Sequence, residues 1–187
     1  VVWHRDILDV DITTGEWLIL ARTNFIANRI ATTLKEQGFL FWREGSGWSI
    51  SPNVLTGIEV WLKLCKQQHL SAQELKKLSP LLTATVITRS GRKALASLDP
   101  ELTYTLTDIQ DQCSLSATAE TPWHEVLKVS ENERIYISSV RRMGESILTG
   151  TPRIKISTIH KAKGGEADNV ALLLDSSRAC ANSEDQD

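Results

Sequence analysis

The most constraining feature of the sequence is a short apolar run, EWLILA at residues 16–21, with a second one, FLFW, at residues 39–42. Short runs that are apolar throughout, rather than alternating, predict strands buried on both faces. The segment between them keeps a helical spacing of apolar residues, with Asn24 as its N-cap and Gly38 as its C-terminal stop. The pattern therefore predicts strand–helix–strand, the unit of a parallel α/β sheet.

The sheet pattern is interrupted and then resumes. Residues 45–130 contain a series of short helical patterns, one of which begins with the capping-box pair Ser71 and Glu74. A further helix is predicted at residues 131–147, followed by strands at RIKIST, residues 153–158, and NVALLLD, residues 169–175. We expect an α/β domain formed by residues 1–44 and 131–187, with a helical insertion at residues 45–130.

Composition, charge and cysteine spacing limit the classes of protein to which this chain can belong. The chain has 187 residues and a formal net charge of −2, so its overall charge does not indicate nucleic-acid binding. It has no apolar run of membrane-span length, and no secretory signal is visible in it. The spacing of Cys65, Cys113 and Cys180 fits neither a disulfide framework nor a zinc site, which favours reduced thiols in a cytoplasmic protein without a metal. A start at Val1 and a polar end suggest a piece of a longer polypeptide. We expect that piece to be a monomer.

The loop after RIKIST concentrates residues that bind phosphates and sugars. Ligands of open parallel sheets lie beyond the carboxyl ends of strands, which is where this loop begins. Lysines suit phosphates, glycines allow close backbone approach, and a carboxylate can accept hydrogen bonds from ribose hydroxyls. The residues concerned are Thr158, His160, Lys161, Lys163, Gly164, Gly165, Glu166 and Asp168. The alternative interpretation is a solvated charged loop, because charge runs usually lie on the surface.

Positive charge accumulates around this loop. Between Arg141 and Lys163 the only acidic residue is Glu145. Such a local excess favours contact with a phosphate backbone, and we expect weak, salt-sensitive DNA binding through Arg153, Lys155 and Lys161.

Among the tryptophans, those within apolar runs are expected in the core, and two are the better candidates for exposure. The first group is Trp17, Trp42 and Trp61, and the second is Trp48 and Trp123.

The order of the loop residues resembles a known motif. STIHKAKGGEADNV, residues 157–170, resembles motif V of superfamily 1 DNA helicases of the UvrD/Rep type. The matching residues are Thr158, His160, Lys163, Gly164 and Glu166. LILARTN, residues 18–24, resembles motif IV of the same family, with Arg22 as its arginine.

The resemblance implies a RecA-like (P-loop NTPase-type) fold for the α/β domain, equivalent to the second motor domain, 2A, and a 2B-like identity for the insertion. It implies a catalytic contact of Arg22 with the ATP γ-phosphate, a role that suits an always-charged, forked guanidinium. Glu166 would contact the ribose beside Gly165, which stands where the family commonly has leucine. DNA contacts would come from Thr158 and His160, with Lys161 and Lys163 beside them.

The implied function is that of an ATP-dependent DNA helicase, which uses ATP and Mg²⁺ to move along single-stranded DNA, 3′ to 5′, and unwind duplex. The sequence contains no phosphate-binding loop and no Asp-Glu pair for Mg²⁺, so ATP would bind against a first motor domain of the same polypeptide. We expect no ATPase activity from this chain alone. Two alternatives stay open: the motor part of a helicase–nuclease, and a DNA- or nucleotide-binding module without turnover.

Overall fold

The computed structural model describes residues 7–144, 152–162 and 166–173. The chain forms two compact units, one made of Val1–Ser49 and Tyr136–Asp187 and the other of Ile50–Ile135. The second unit begins and ends five residues later than the insertion predicted at residues 45–130.

The helices and strands follow the chain in this order: β1 Trp17–Ala21, α1 Asn24–Glu36, β2 Phe41–Arg43, β3 Gly47–Trp48, α2 Pro52–Cys65, β4 Leu70–Ser71, α3 Ala72–Leu78, α4 Arg89–Ala96, β5 Thr103–Tyr104, α5 Leu106–Cys113, α6 Trp123–Val126, α7 Glu131–Arg142, β6 Ile154–Thr158 and β7 Asn169–Leu173. Among the described residues, 3₁₀ turns occur at Ile7–Asp9 and Ser79–Leu81.

The first unit is built on a five-stranded sheet with the spatial order β3-β2-β6-β1-β7. Strands β2, β6, β1 and β7 run parallel, and only β3 at one edge is antiparallel. The predicted α/β class is therefore confirmed, with a mixed, mostly parallel sheet. Strands from the two ends of the sequence alternate in space, because β1 lies between β6 and β7.

Helix α1 packs against one face of this sheet. Its apolar residues meet the side chains of alternate strand positions, and the resulting core includes Ile19, Ile30, Leu34 and Ile156. The N-cap of α1 is Thr23 rather than the expected Asn24. Thr23 has extended backbone angles, and its hydroxyl accepts the N–H of Ile26 at 3.3 Å.

Helix α7 packs against the end of α1 and the segment that follows it. Gly38 has a φ of +79°, the left-handed conformation that ends a helix. A Cβ on Gly38 would lie 2.9 Å from Cβ of Ser139 in α7, so the two segments are in close contact. The Tyr136 hydroxyl donates to the carbonyl of Phe39 at 2.7 Å, and the ammonium of Lys35 lies 5.4 Å from the Tyr136 ring centroid. These contacts fix α7 beside the start of β2.

The second unit is helical, with the small β4–β5 ribbon joining two helix starts. The predicted capping box of Ser71 and Glu74 at α3 is confirmed. A second capping box, Thr105 with Asp108, begins α5 directly after β5. Both boxes satisfy backbone N–H groups that have no partner within the helix.

Helix α4 is held from two sides. A Cβ on Gly91 would lie 2.1 Å from the carbonyl oxygen of Cys113, so α4 and α5 cross at a distance that only glycine permits. On the other side, the Arg92 guanidinium donates to the carbonyls of Ser79, Leu82 and Thr83 after α3.

The tryptophans follow expectation only in part. Trp61 is buried, as expected, and donates its indole N–H to the carbonyl of Thr121 at 3.1 Å. Trp123 is also buried, at 8% exposure, although it was expected to be one of the more exposed. Its position at the first residue of α6, after Pro122, turns the ring into the core of the helical unit.

Candidate functional site

The two segments that resemble helicase motifs, residues 18–24 and residues 157–170, meet at the carboxyl edge of the parallel sheet. Ala21, the last residue of β1, is level with Thr158, the last residue of β6. The N–H of Ile159 donates to the carbonyl of Ala21 at 3.0 Å, which extends the pairing one step beyond both strands. Arg22 and the turn after Thr158 therefore begin at adjacent points of one edge, where open α/β sheets bind ligands.

On the β1 side, the edge is formed by Arg22 and the start of α1. Arg22 is half-buried, whereas Ala21 before it is fully buried. The first turn of α1 contains no acidic residue, so the positive end of the helix dipole is not neutralised within that turn. A helix N-terminus that follows a parallel strand is suited to anions.

On the β6 side, the turn is tightly folded. The N–H groups of Lys161 and Ala162 both donate to the carbonyl of Thr158, at 3.0 and 3.1 Å. His160 and Lys161 are exposed, but Thr158 is only 7% exposed and lies on the α1 side of the sheet. This turn therefore offers the side chains of His160 and Lys161 to a ligand, with the Thr158 hydroxyl buried.

The β2–β3 hairpin adds to this edge, which sequence reasoning missed. The ammonium of Lys161 lies 3.8 Å from the position that a Cβ would take on Gly45, at the tip of the hairpin. Arg43, the last residue of β2, donates to the hydroxyl of Ser46 at 3.3 Å. Glu44 supplies a carboxylate in the same hairpin. In the sequence, the only sign that this hairpin belongs to the site is the basic residue directly after FLFW. The hairpin reaches the edge because β2 pairs with β6, and that pairing cannot be seen in the local sequence.

Glu166 enters the structure at a different place. It is exposed and lies three residues before β7, whose first residue, Asn169, is level with Trp17 at the start of β1. The N–H of Asn169 donates to the carbonyl of Glu16 at 3.1 Å. The described chain thus passes from Glu166 into the amino edge of the sheet, whereas Arg22 leaves from the carboxyl edge. The predicted site residues Lys163 and Gly165 lie outside the described residues.

The expected DNA-binding cations do not share one surface. At the amino end of β6, Arg153 donates to the carbonyls of Ile12 and Gly15, at 2.6 and 3.2 Å, and its guanidinium carbon lies 5.9 Å from the Phe39 ring centroid. Lys155 is half-buried within β6, and Lys161 lies beyond the strand's carboxyl end. Lys161 is therefore the member of this group that belongs to the candidate site.

The same amino edge has a cavity of about 440 Å³. Its lining includes Leu8, Asp11 and Phe39. Hydrogen bonds from the hydroxyl and N–H of Thr13 hold the pKa of Asp11 below its usual value. This cavity lies away from Arg22, at the opposite edge of the sheet.

Other chemistry finds little support in the described residues. Within residues 7–144, 152–162 and 166–173, no group of three or more His, Cys, Asp or Glu side chains could hold a metal ion. Cys65 and Cys113 are free thiols, and burial raises the pKa of both. No helix in this part of the chain has the length and apolarity needed to cross a bilayer.

Comparison with known proteins returned no match: no family model, no curated protein and no solved structure corresponds to this chain. The structure itself shows an α/β domain with a mostly parallel sheet and an inserted helical unit.

Proposed function

We propose that this chain is the second motor domain, with its inserted helical unit, of an ATP-dependent DNA helicase that resembles the UvrD/Rep type. The observation that carries the proposal is the pairing of β1 with β6. Two segments that resemble helicase motifs IV and V lie far apart in the sequence, and they leave adjacent strands at the same edge. A RecA-like fold is part of this proposal, supported by the parallel sheet and by the insertion between β3 and α7.

In this proposal the carboxyl edge is one wall of an ATP site. Arg22 places its guanidinium on the phosphate side, and the start of α1 adds a positive field there. The first motor domain of the same polypeptide supplies the phosphate loop and the Mg²⁺ ligands, since neither pattern occurs in this sequence. The chain alone binds nucleotide weakly and does not turn it over.

The neighbouring turn contacts single-stranded DNA through His160 and Lys161. The hydrogen bond from the N–H of Ile159 to the carbonyl of Ala21 directly connects this turn with the segment that contains Arg22. A displacement of Arg22 on ATP binding then moves the turn. At the carboxyl edge the nucleotide contact of this proposal is Arg22. The ribose and DNA contacts that the resemblance implies for Glu166, Lys163 and Gly165 belong to the segment that follows the turn, which leads to the amino end of β7.

The test is equilibrium binding of a fluorescent oligo(dT) single strand at several salt concentrations. Each phosphate contact on a single strand contributes about 0.7 to the slope of log K against log salt concentration. We expect Lys161→Ala to weaken binding and to reduce this slope by about that amount. Lys66→Ala, at an exposed lysine of the helical unit, is the matched control and should leave both unchanged.

A parallel titration with a fluorescent ATP analogue tests Arg22. We expect Arg22→Ala to weaken nucleotide binding and Arg22→Lys to restore it only in part, because an ammonium does not fork onto phosphate oxygens. If the chain binds neither DNA nor nucleotide, or if neither variant changes the binding, the proposed function is wrong. Magnesium-dependent ATP turnover by the pure chain would contradict the proposed division of the site between two domains.

A further inference from the structure

Helix α1 carries one large aromatic side chain on its solvent side. The residues of α1 that are buried against the sheet are Ile26, Ala27, Ile30 and Leu34. Phe25 does not belong to this buried side, and it is 64% exposed. Among the described residues it is the most exposed of the large hydrophobic side chains, and the only aromatic one of that exposed group. Packing of α1 on the sheet therefore does not account for the ring.

Phe25 lies at the carboxyl edge, beside the turn that is proposed to contact DNA. It comes four residues after Ala21, whose carbonyl accepts the N–H of Ile159 at 3.0 Å. Helix α1 connects β1 with β2, and β6 lies between these two strands in the sheet. The first turn of α1 and the end of β6 therefore share one end of the sheet. There Ile159 is 41% exposed, and Lys161 is exposed as well.

The surroundings of Phe25 on α1 suit a negatively charged strand. The sequence contains no acidic residue at positions 17–35, which include β1 and all but the last residue of α1. The exposed residues that follow Phe25 at helical spacing are Asn28, Arg29 and Thr32. A nucleic acid lying along this side of α1 meets polar and cationic side chains and no carboxylate. Aromatic rings among such side chains are typical of surfaces that bind single strands.

We propose that Phe25 stacks on a base of the single-stranded DNA whose backbone the turn at residues 159–162 contacts. This rests on the proposed function and adds a base contact to the phosphate contact of Lys161. Stacking uses the ring face that every base presents, so the contact is tolerant of sequence.

Two other occupants of the Phe25 ring fit less well. A protein partner calls for a contiguous apolar patch, whereas the exposed neighbours of Phe25 along α1 are polar. The adenine ring of ATP calls for an enclosed pocket with mostly apolar walls, and the same polar neighbours do not supply one. A base of a flexible strand needs only one open ring to stack on.

The test compares two fluorescent single strands of equal length: oligo(dT), and an abasic strand that keeps the sugars and phosphates but has no bases. Phe25→Leu keeps an apolar side chain and removes the ring. We expect it to weaken oligo(dT) binding about tenfold, as loss of one base–aromatic stack does. The slope of log K against log salt concentration should not change, because no phosphate contact is lost. Binding of the abasic strand should not change either.

Two further variants serve as controls in the same titrations. Phe25→Trp keeps an aromatic ring and should bind oligo(dT) at least as tightly as the unchanged chain. Leu102→Ala, at an apolar residue of the helical unit that is 55% exposed, should bind like the unchanged chain. Thermal unfolding followed by circular dichroism shows whether each variant is folded, and Phe25→Met replaces Phe25→Leu if the latter is not.

The outcomes separate this contact from the proposed function. If Phe25→Leu binds oligo(dT) as tightly as the unchanged chain while Lys161→Ala weakens it, the base contact is wrong and the proposed function stands. Equal weakening of oligo(dT) and the abasic strand would also overturn the contact, because the ring would then act without a base. If Phe25→Leu weakens binding of a fluorescent ATP analogue and not of oligo(dT), the ring belongs to the nucleotide instead. If oligo(dT) does not bind at all, both proposals are wrong.

Discussion

Replacing Gly91 by alanine tests the packing of the helical unit, because two physical effects predict opposite signs. Alanine has a higher helix propensity than glycine, which favours the variant by up to about 1 kcal/mol. Against this, the added Cβ would lie 2.1 Å from the carbonyl oxygen of Cys113 and 2.9 Å from Cγ1 of Ile87. The nearer contact is with backbone, which cannot rotate away, so α4 and α5 must separate.

Overpacking of this kind typically costs about 1–3 kcal/mol, and more where a backbone has to move. The contact with backbone places the cost at the upper end of that range, about 3 kcal/mol. After the propensity gain of up to about 1 kcal/mol is subtracted, we expect Gly91→Ala to lower the free energy of unfolding by about 2 kcal/mol. For a unit of this size, that corresponds to a fall in Tm of about 10 °C.

The assay is urea unfolding followed by circular dichroism and by tryptophan fluorescence, since Trp61 is buried in this unit. Lys93→Ala, at an exposed position of the same helix, is the control and should change stability little. If Gly91→Ala is as stable as the unchanged chain, or more stable, the close crossing of α4 and α5 is refuted.

Three further predictions concern hydrogen bonds. Tyr136→Phe removes the donor to the buried carbonyl of Phe39 and should lower the free energy of unfolding by about 1–2 kcal/mol, measured by urea titration. Arg92→Lys should destabilise the helical unit by a similar amount, because an ammonium cannot reach the three carbonyls that the guanidinium spans, and hydrogen exchange should increase after α3. Hydrogen bonds from the N–H and hydroxyl of the capping residues lower the pKa of Glu74 and Asp108 below their ordinary values of 4.5 and 3.8. Their contribution to stability is complete above those values and is lost as the pH falls through the lower, folded-state pKa, so the double variant Glu74→Gln and Asp108→Asn should lose less stability on acidification.

Much of the fold could be predicted because its signals are local. The continuous apolar runs predicted the parallel strands, and the Ser71–Glu74 pair predicted the start of α3. The N-cap of α1 was misplaced by one residue because Thr23 and Asn24 are both good capping residues, and only the backbone angles distinguish them. Burial of Trp123 depends on how α6 packs. This helix has four residues, which is too short for a periodic apolar pattern to show which side faces the core.

The candidate site was predictable only in part, because it depends on which strands pair. Local sequence order indicated Arg22, His160 and Lys161, and the pairing of β1 with β6 puts them at one edge. No local signal joins the Gly45 turn to Lys161, since that contact requires β2 to pair with β6. The direction of β7 separates the entry point of Glu166 from Arg22, which a motif read as a linear string does not show.

We propose that one edge of the sheet binds both nucleotide and single-stranded DNA. Hydrogen–deuterium exchange of the chain, alone and with an ATP analogue or oligo(dT), tests both kinds of binding at the level of single segments. We expect slower exchange at residues 21–26 with nucleotide and at residues 157–162 with DNA. Arg22→Ala should abolish the first effect, and Lys161→Ala should weaken the second. Protection confined to residues 50–135, or no protection at either segment, would contradict this proposal.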